Sequence, residues 1–172
     1  MNYFESINPT NGKIIKKYLA LSEDELNEIL LNTDERFDSW RRNSVDERST
    51  YFLEIAEIID QKKIELSELL AAEMGKPIMQ GKVEIEKCAL LCRYYANNAA
   101  LFLKDDIIKT EASKSYATFQ PLGIILGIMP WNFPFWQVFR FAVPTMIAGN
   151  TILLKHAPNV LGCAKAIQQI FE

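Results

Sequence analysis

Four polar side chains stand out in an otherwise apolar part of this 172-residue sequence. Asn132 lies between Trp131 and Phe133, just after the apolar run 124–129. A side-chain amide N–H placed there can donate to an oxyanion forming on a substrate carbonyl. An Asn before Pro134 can equally hold a turn and nothing more. Lys155 follows a second apolar run, 151–154. A compact ammonium at that point suits the ribose or phosphate of a nucleotide, or is an ordinary solvated lysine. Arg140 is the only charge between Lys114 and Lys155. An Arg in so apolar a segment calls for a partner, and its planar fork suits a carboxylate. It stands about two helical turns beyond Asn132 and can face the same pocket. The competing assignment is an internal ion pair with a Glu or Asp of the preceding helices. His156, the one histidine, reads as a positioning or packing residue rather than an acid–base group.

These side chains need elements to hold them. Runs 124–129 and 151–154 are short, β-branched and bounded by Gly, Pro or Asn, so they read as buried strands. Residues 135–147 have the length of one crossover helix. Strand, helix and parallel strand make a right-handed βαβ unit. Trp131-Asn132 and Lys155-His156 then fall at the carboxyl ends of its strands, where open α/β sheets bind ligands.

Upstream, Asn11-Gly12 between Ile7 and Ile14 predicts a hairpin. Ser22…Glu25 and Ser44…Glu47 are capping boxes that start helices. The first carries Leu26, Ile29, Leu30, Phe37 and Trp40 at helical spacing; the second carries Tyr51, Phe52, Ile55, Ile58 and Ile59. The pattern breaks at 60–63, resumes over 64–73, and stops at Gly75 and Pro77. A further helix is expected over about 79–103 from its spacing, with Val83, Cys88, Leu91, Tyr95 and Phe102 inward. Residues 110–120 alternate loosely like a strand. Residues 159–172 form a last amphipathic helix around Cys163, Ala166, Ile167 and Ile170. The fold class is α/β: an N-terminal helical layer followed by the first part of a Rossmann-like parallel sheet, left incomplete.

Composition excludes several classes. Apolar residues make up 49%, the net charge is −3 and the pI about 5.3. No basic face for nucleic acid is implied. The uncharged stretch 115–139 is long enough for a bilayer, but Pro121, Pro130 and Pro134 would leave backbone groups unpaired there. No membrane partner is therefore expected, and no secretory leader is seen. An odd count of three cysteines without a leader fits reduced cytoplasmic thiols. Cys88 and Cys92, four apart, share a helix face, but no ligand set completes a metal site.

Three ordered motifs carry a resemblance. Glu73-Met74-Gly75-Lys76-Pro77, Met129-Pro130-Trp131-Asn132-Phe133-Pro134, and Ala148-Gly149-Asn150-Thr151 with Leu153-Leu154-Lys155 resemble signatures of the aldehyde dehydrogenase superfamily. Their spacing fits over nearly the whole chain. Among its members, NAD(P)-dependent succinate-semialdehyde dehydrogenases are the nearest match.

The resemblance implies a reaction and roles. Residues 1–172 correspond to the N-terminal part of the cofactor-binding domain, with 110–120 as the oligomerisation strand or a local hairpin arm. Asn132 would stabilise the oxyanion and Arg140 would meet the substrate's far carboxylate. Met129, Pro130, Trp131, Asn132, Lys155, His156, Ala157 and Pro158 would face NAD or NADP. Pro158 stands where members preferring NAD often have Glu and those using NADP a small hydroxyl residue. It offers neither, nor an N–H, which leaves the cofactor choice open. The family's nucleophilic Cys, its general-base Glu and the catalytic domain lie beyond this sequence. The chain alone is therefore expected to be inactive: either the N-terminal portion of a homo-oligomeric enzyme oxidising succinate semialdehyde, or a catalytically dead remnant serving as a binding or assembly module.

Overall fold

Ser22 and Ser44 each start a helix by the same exchange of hydrogen bonds. Each hydroxyl accepts from the backbone N–H of the Glu three residues on, and that Glu accepts from the serine N–H. In the structure, a computed structural model describing residues 3–172, these helices are α1 (Glu23–Trp40) and α2 (Val45–Gln61). Before them, β1 (Tyr3–Ile7) and β2 (Ile14–Leu19) pair antiparallel. Gly12, at φ +70°, makes the turn between them. After them come α3 (Lys63–Met74), α4 (Ile78–Phe102), the short strands β3 (Asp106–Ile107) and β4 (Tyr116–Ala117), β5 (Ile124–Ile128), α5 (Trp136–Ile147), β6 (Thr151–Lys155), a 3₁₀ turn at Pro158–Val160, and α6 (Leu161–Phe171). Gly75 ends α3 in the left-handed conformation at φ +76°, a helix stop that a side chain would strain.

The core lies between α2, α3, α4, α5 and α6. Phe52, Ile59, Leu66, Leu70, Ile85, Cys88, Val138, Phe139, Cys163 and Ile167 are all buried. Phe171 sits against both Phe52 and Phe139, with ring centroids 6.3 and 5.4 Å apart. β5 and β6 pair in parallel, with Ile124 opposite Thr151 and Ile128 opposite Lys155. The βαβ unit is thus present. At Gly127 the Phe141 ring of α5 presses on the sheet, and a Cβ there would run into that ring, so glycine fits where a larger residue would force the ring aside.

Several sequence expectations are corrected. The two parallel strands are not buried on both faces: Leu126 and Ile128 are 60% and 69% exposed. α5 packs on the pair through Phe141 and α1 also touches both strands, yet Leu126 and Ile128 stay open among the described residues. α1 is helical as expected, yet none of its residues is buried. It touches the βαβ unit at two points: Trp40 Nε1 donates to the Met146 carbonyl at 2.8 Å, and the Thr151 hydroxyl of β6 donates to the Thr33 carbonyl at 3.5 Å. Val83 and Phe102, expected inward on α4, are exposed. Of 110–120, only Tyr116–Ala117 is strand, paired antiparallel with Asp106–Ile107. No helix is long and apolar enough to cross a membrane among the described residues.

Candidate functional site

The carboxyl ends of β5 and β6 meet at one level. Ile128 pairs with Lys155, and the Met129 N–H donates to the Lys155 carbonyl at 3.0 Å. The chain leaves β5 into Pro130, Trp131, Asn132 and Phe133, all exposed. It leaves β6 through exposed Lys155 into buried His156 and Ala157, with exposed Pro158 opening the 3₁₀ turn. Sequence reasoning grouped these residues, and the fold brings them to one edge. The Asn132 amide has no hydrogen-bond partner, and the Lys155 ammonium no ion-pair partner, among the described residues.

The loop bearing Asn132 is fixed from behind. Lys76, buried between α3 and α4, donates to the Asn132 carbonyl at 3.2 Å and lies 3.8 Å from the centroid of the Phe133 ring. It also makes a buried ion pair with Glu84 of α4. Glu84 Oε1 accepts from the Phe135 and Trp136 N–H groups, 3.0 Å each, at the start of α5. A carboxylate there satisfies two helix-end donors and opposes the positive end of the helix dipole. Removing one partner of such a pair costs about 3–5 kcal/mol, because the other is left charged and buried.

Glu73 does for α6 what Glu84 does for α5. Its carboxylate accepts from Gly162 N and Cys163 N at 2.9 and 2.8 Å, and from the Ser6 hydroxyl at 2.5 Å. That last bond ties the N-terminal hairpin to the core. At the other end of α5, buried Arg48 donates from Nε to the Ile147 carbonyl at 2.7 Å.

His156 closes the loop from the β6 side. Its Nε2 lies 2.9 Å from the Pro134 carbonyl oxygen, and its Nδ1 accepts from Ala157 N–H at 2.8 Å. Only the neutral ring with hydrogen on Nε2 satisfies both contacts. Burial lowers its pKa, against the opposing pull of the Pro134 carbonyl. The unfolded chain, titrating near pH 6.5, therefore binds its proton before the folded one does. Stability from this group is complete above that value and is lost as pH falls through the lower folded pKa. Thermal midpoints at pH 7.5 and 5.5 should differ more for the native protein than for His156→Gln. An equal shift in both would remove His156 as a cause.

Arg140 is exposed on α5, one turn beyond Trp136, and has no acidic partner within 4 Å among the described residues. The internal ion pair is thus not formed there. Toward the start of α5, Met79, Gln80, Val83, Glu84, Lys87, Phe133 and Trp136 line an open groove of about 440 Å³, of which Arg140 is not a lining residue. Lys87 Nζ lies 3.9 Å from the centroid of the Trp136 ring. The groove adjoins Asn132 through Phe133. All three cysteines are free and buried. Burial pushes every thiol up, Cys92 to about 12, so none is disposed to act as a thiolate nucleophile. No group of three His, Cys, Asp or Glu able to hold a metal occurs among the described residues.

The donor set at the strand ends fits a dinucleotide. Lys155, without an ion-pair partner among the described residues, pairs across the sheet with exposed Ile128, and the loop that follows carries exposed Trp131; an ammonium suits hydroxyl or phosphate oxygens and the apolar surface a flat ring. Lys76, Glu84 and Glu73 received no role from the sequence. Their signal was present, since Glu84 falls four residues before Cys88 on the buried stripe of α4, and Glu73 three after Leu70 on that of α3.

Comparison with known proteins places the chain in a family. The sequence pattern describing the aldehyde dehydrogenase family matches residues 1–172. A Synechocystis sp. protein named "Probable succinate-semialdehyde dehydrogenase (NADP(+))" is 47% identical over 167 residues, 97% of this chain and 37% of its own length. The Escherichia coli "Succinate semialdehyde dehydrogenase (NAD(P)+) Sad" is 40% identical over 97% of this chain and 36% of its own. The crystal structure of succinic semialdehyde dehydrogenase from Streptococcus pyogenes with NADP+ superposes with a TM-score of 0.93 at 27% identity. That match covers 98% of this chain and 37% of that one. The chain therefore spans little more than a third of these relatives.

Proposed function

This chain belongs to the aldehyde dehydrogenase family, and on that footing we propose that the full-length protein oxidises succinate semialdehyde to the dicarboxylate with NAD(P)+. The observation that carries the reading is the meeting of an unpartnered Asn132 amide and an unpartnered Lys155 ammonium, among the described residues, at the ends of adjacent parallel strands. Asn132 would donate to the aldehyde oxygen as it takes on negative charge. Lys155 would bind hydroxyl or phosphate oxygens of the nucleotide, with Met129, Pro130, Trp131, His156, Ala157 and Pro158 shaping the surface it lies on. Arg140 would hold the far carboxylate of the substrate at the groove. The bound dinucleotide supplies the hydride acceptor. The nucleophile and general base would come from outside residues 1–172, since the three thiols here are buried and disfavoured as thiolates.

The names of the Synechocystis and E. coli relatives support the substrate, and both include NADP. Pro158 supplies no reader of the ribose 2′ position, so use of both cofactors is the reading here. The β3–β4 arm, with Ile107 and Tyr116 70% and 46% exposed, supports a homo-oligomer. The test is spectrophotometric: the full-length protein should reduce NADP+ or NAD+ with succinate semialdehyde, and residues 1–172 alone should reduce neither. A full-length protein inactive with both cofactors would overturn the reading and favour the non-catalytic module.

A further inference from the structure

We infer that Lys76 and Glu84 are positioning residues for Asn132, an assignment that rests on Asn132 donating to the substrate oxygen. The Asn132 amide is exposed and held by no hydrogen bond of its own among the described residues. Its place is therefore set by the backbone that carries it. That backbone is pinned by two side chains from the opposite layer. Lys76 takes the Asn132 carbonyl at 3.2 Å and lies 3.8 Å from the Phe133 ring centroid. Glu84 takes the Phe135 and Trp136 N–H groups. The buried ion pair between them makes one rigid unit of both contacts.

Fixing a carbonyl and two N–H groups needs only a neutral donor and a neutral acceptor. Charged groups make shorter and stronger bonds at these points. Because Lys76 and Glu84 neutralise one another, the loop is gripped without leaving a net charge beneath the oxyanion. An oxyanion donor must hold its place closely, and a displacement of about 1 Å can cost about 100-fold in rate. His156 anchors Pro134 from the β6 side, leaving the Lys76 contact as the one made by the Asn132 backbone itself.

The experiment is a double-mutant cycle in the full-length protein. Lys76→Met and Glu84→Gln should each lower kcat with succinate semialdehyde about tenfold, with a clearly smaller change in NADP+ affinity, read by tryptophan fluorescence. Lys76→Arg should recover most of the lost rate. In the Asn132→Ala background, Lys76→Met should cost nothing further, because there is no donor left to misplace. Amide exchange measured by mass spectrometry over 129–137 should rise in Lys76→Met while α2 stays protected. Should Lys76→Met fail to fold, Glu84→Gln carries the same cycle. Additive losses with Asn132→Ala, or full kcat in Lys76→Met, would overturn the positioning role alone. Full kcat in Asn132→Ala would sink the oxyanion reading and this inference with it.

Discussion

Asn132→Ala in the full-length protein is expected to lower kcat by about 10²- to 10³-fold, with a far smaller effect on NADP+ affinity. That is the usual cost of deleting one donor from an oxyanion site. The substitution removes an amide that bonds nothing among the described residues, so the fold loses no hydrogen bond there. The backbone contacts that hold the loop, from Lys76 and His156, do not involve the deleted group. The thermal midpoint should therefore hardly move. This separates the oxyanion role from the turn-forming role that the sequence alone left open. If Asn132 merely holds the turn before Pro134, alanine should lower stability and spare kcat. Stopped-flow kinetics with saturating succinate semialdehyde, beside a melting curve, decides between them.

Much of this was legible in the sequence because its local rules agree with the fold. Ser22 and Ser44 start helices where their capping boxes sit, and Asn11-Gly12 turns the hairpin. The βαβ unit follows from two bounded apolar runs and the helix-length segment between them. The departures have one physical source. A hydrophobic pattern reports that a face is to be covered and says nothing of what covers it. Leu126 and Ile128 on β5, the apolar stripe of α1, and Val83 on α4 all carry that pattern, and none of them is buried among residues 3–172.

The buried charges show the opposite blind spot. Arg48, Glu73 and Glu84 each interrupt an otherwise apolar helical stripe. Periodicity reads such a residue as noise. Each in fact meets a helix end of opposite sign: Glu84 the start of α5, Glu73 the start of α6, and Arg48 the Ile147 carbonyl at the end of α5. The two short helices that frame the site are thus held at their ends by ions from the neighbouring layer. α5 is held at both ends, and the candidate groove lies at the end that Glu84 holds. A charge on a stripe of buried residues is the sequence signal that marks such an anchor, because an ion is seldom buried without a partner.

Arg140→Leu should lower the preference for succinate semialdehyde over butanal, measured as the ratio of kcat/KM, by roughly one to two decades. Burial does not support this role. An Arg in an apolar segment suggests a buried ion that demands an anion, but Arg140 is exposed, and an exposed guanidinium needs none. What supports the prediction is placement. Arg140 has no acidic partner among the described residues and stands one turn past Trp136, which lines the groove together with Phe133, the residue next to Asn132. A semialdehyde with its carbonyl at Asn132 would send its carboxylate along that groove, where a planar fork can take both oxygens. Butanal has the same carbon count and no anion, so it isolates the charge. The loss should fall on the acid substrate and appear mainly in KM, because the carboxylate is bound as tightly in the ground state as in the transition state. Butanal turnover should be little changed. If Arg140→Leu weakens both substrates equally, the side chain supports the groove wall and the carboxylate is read elsewhere.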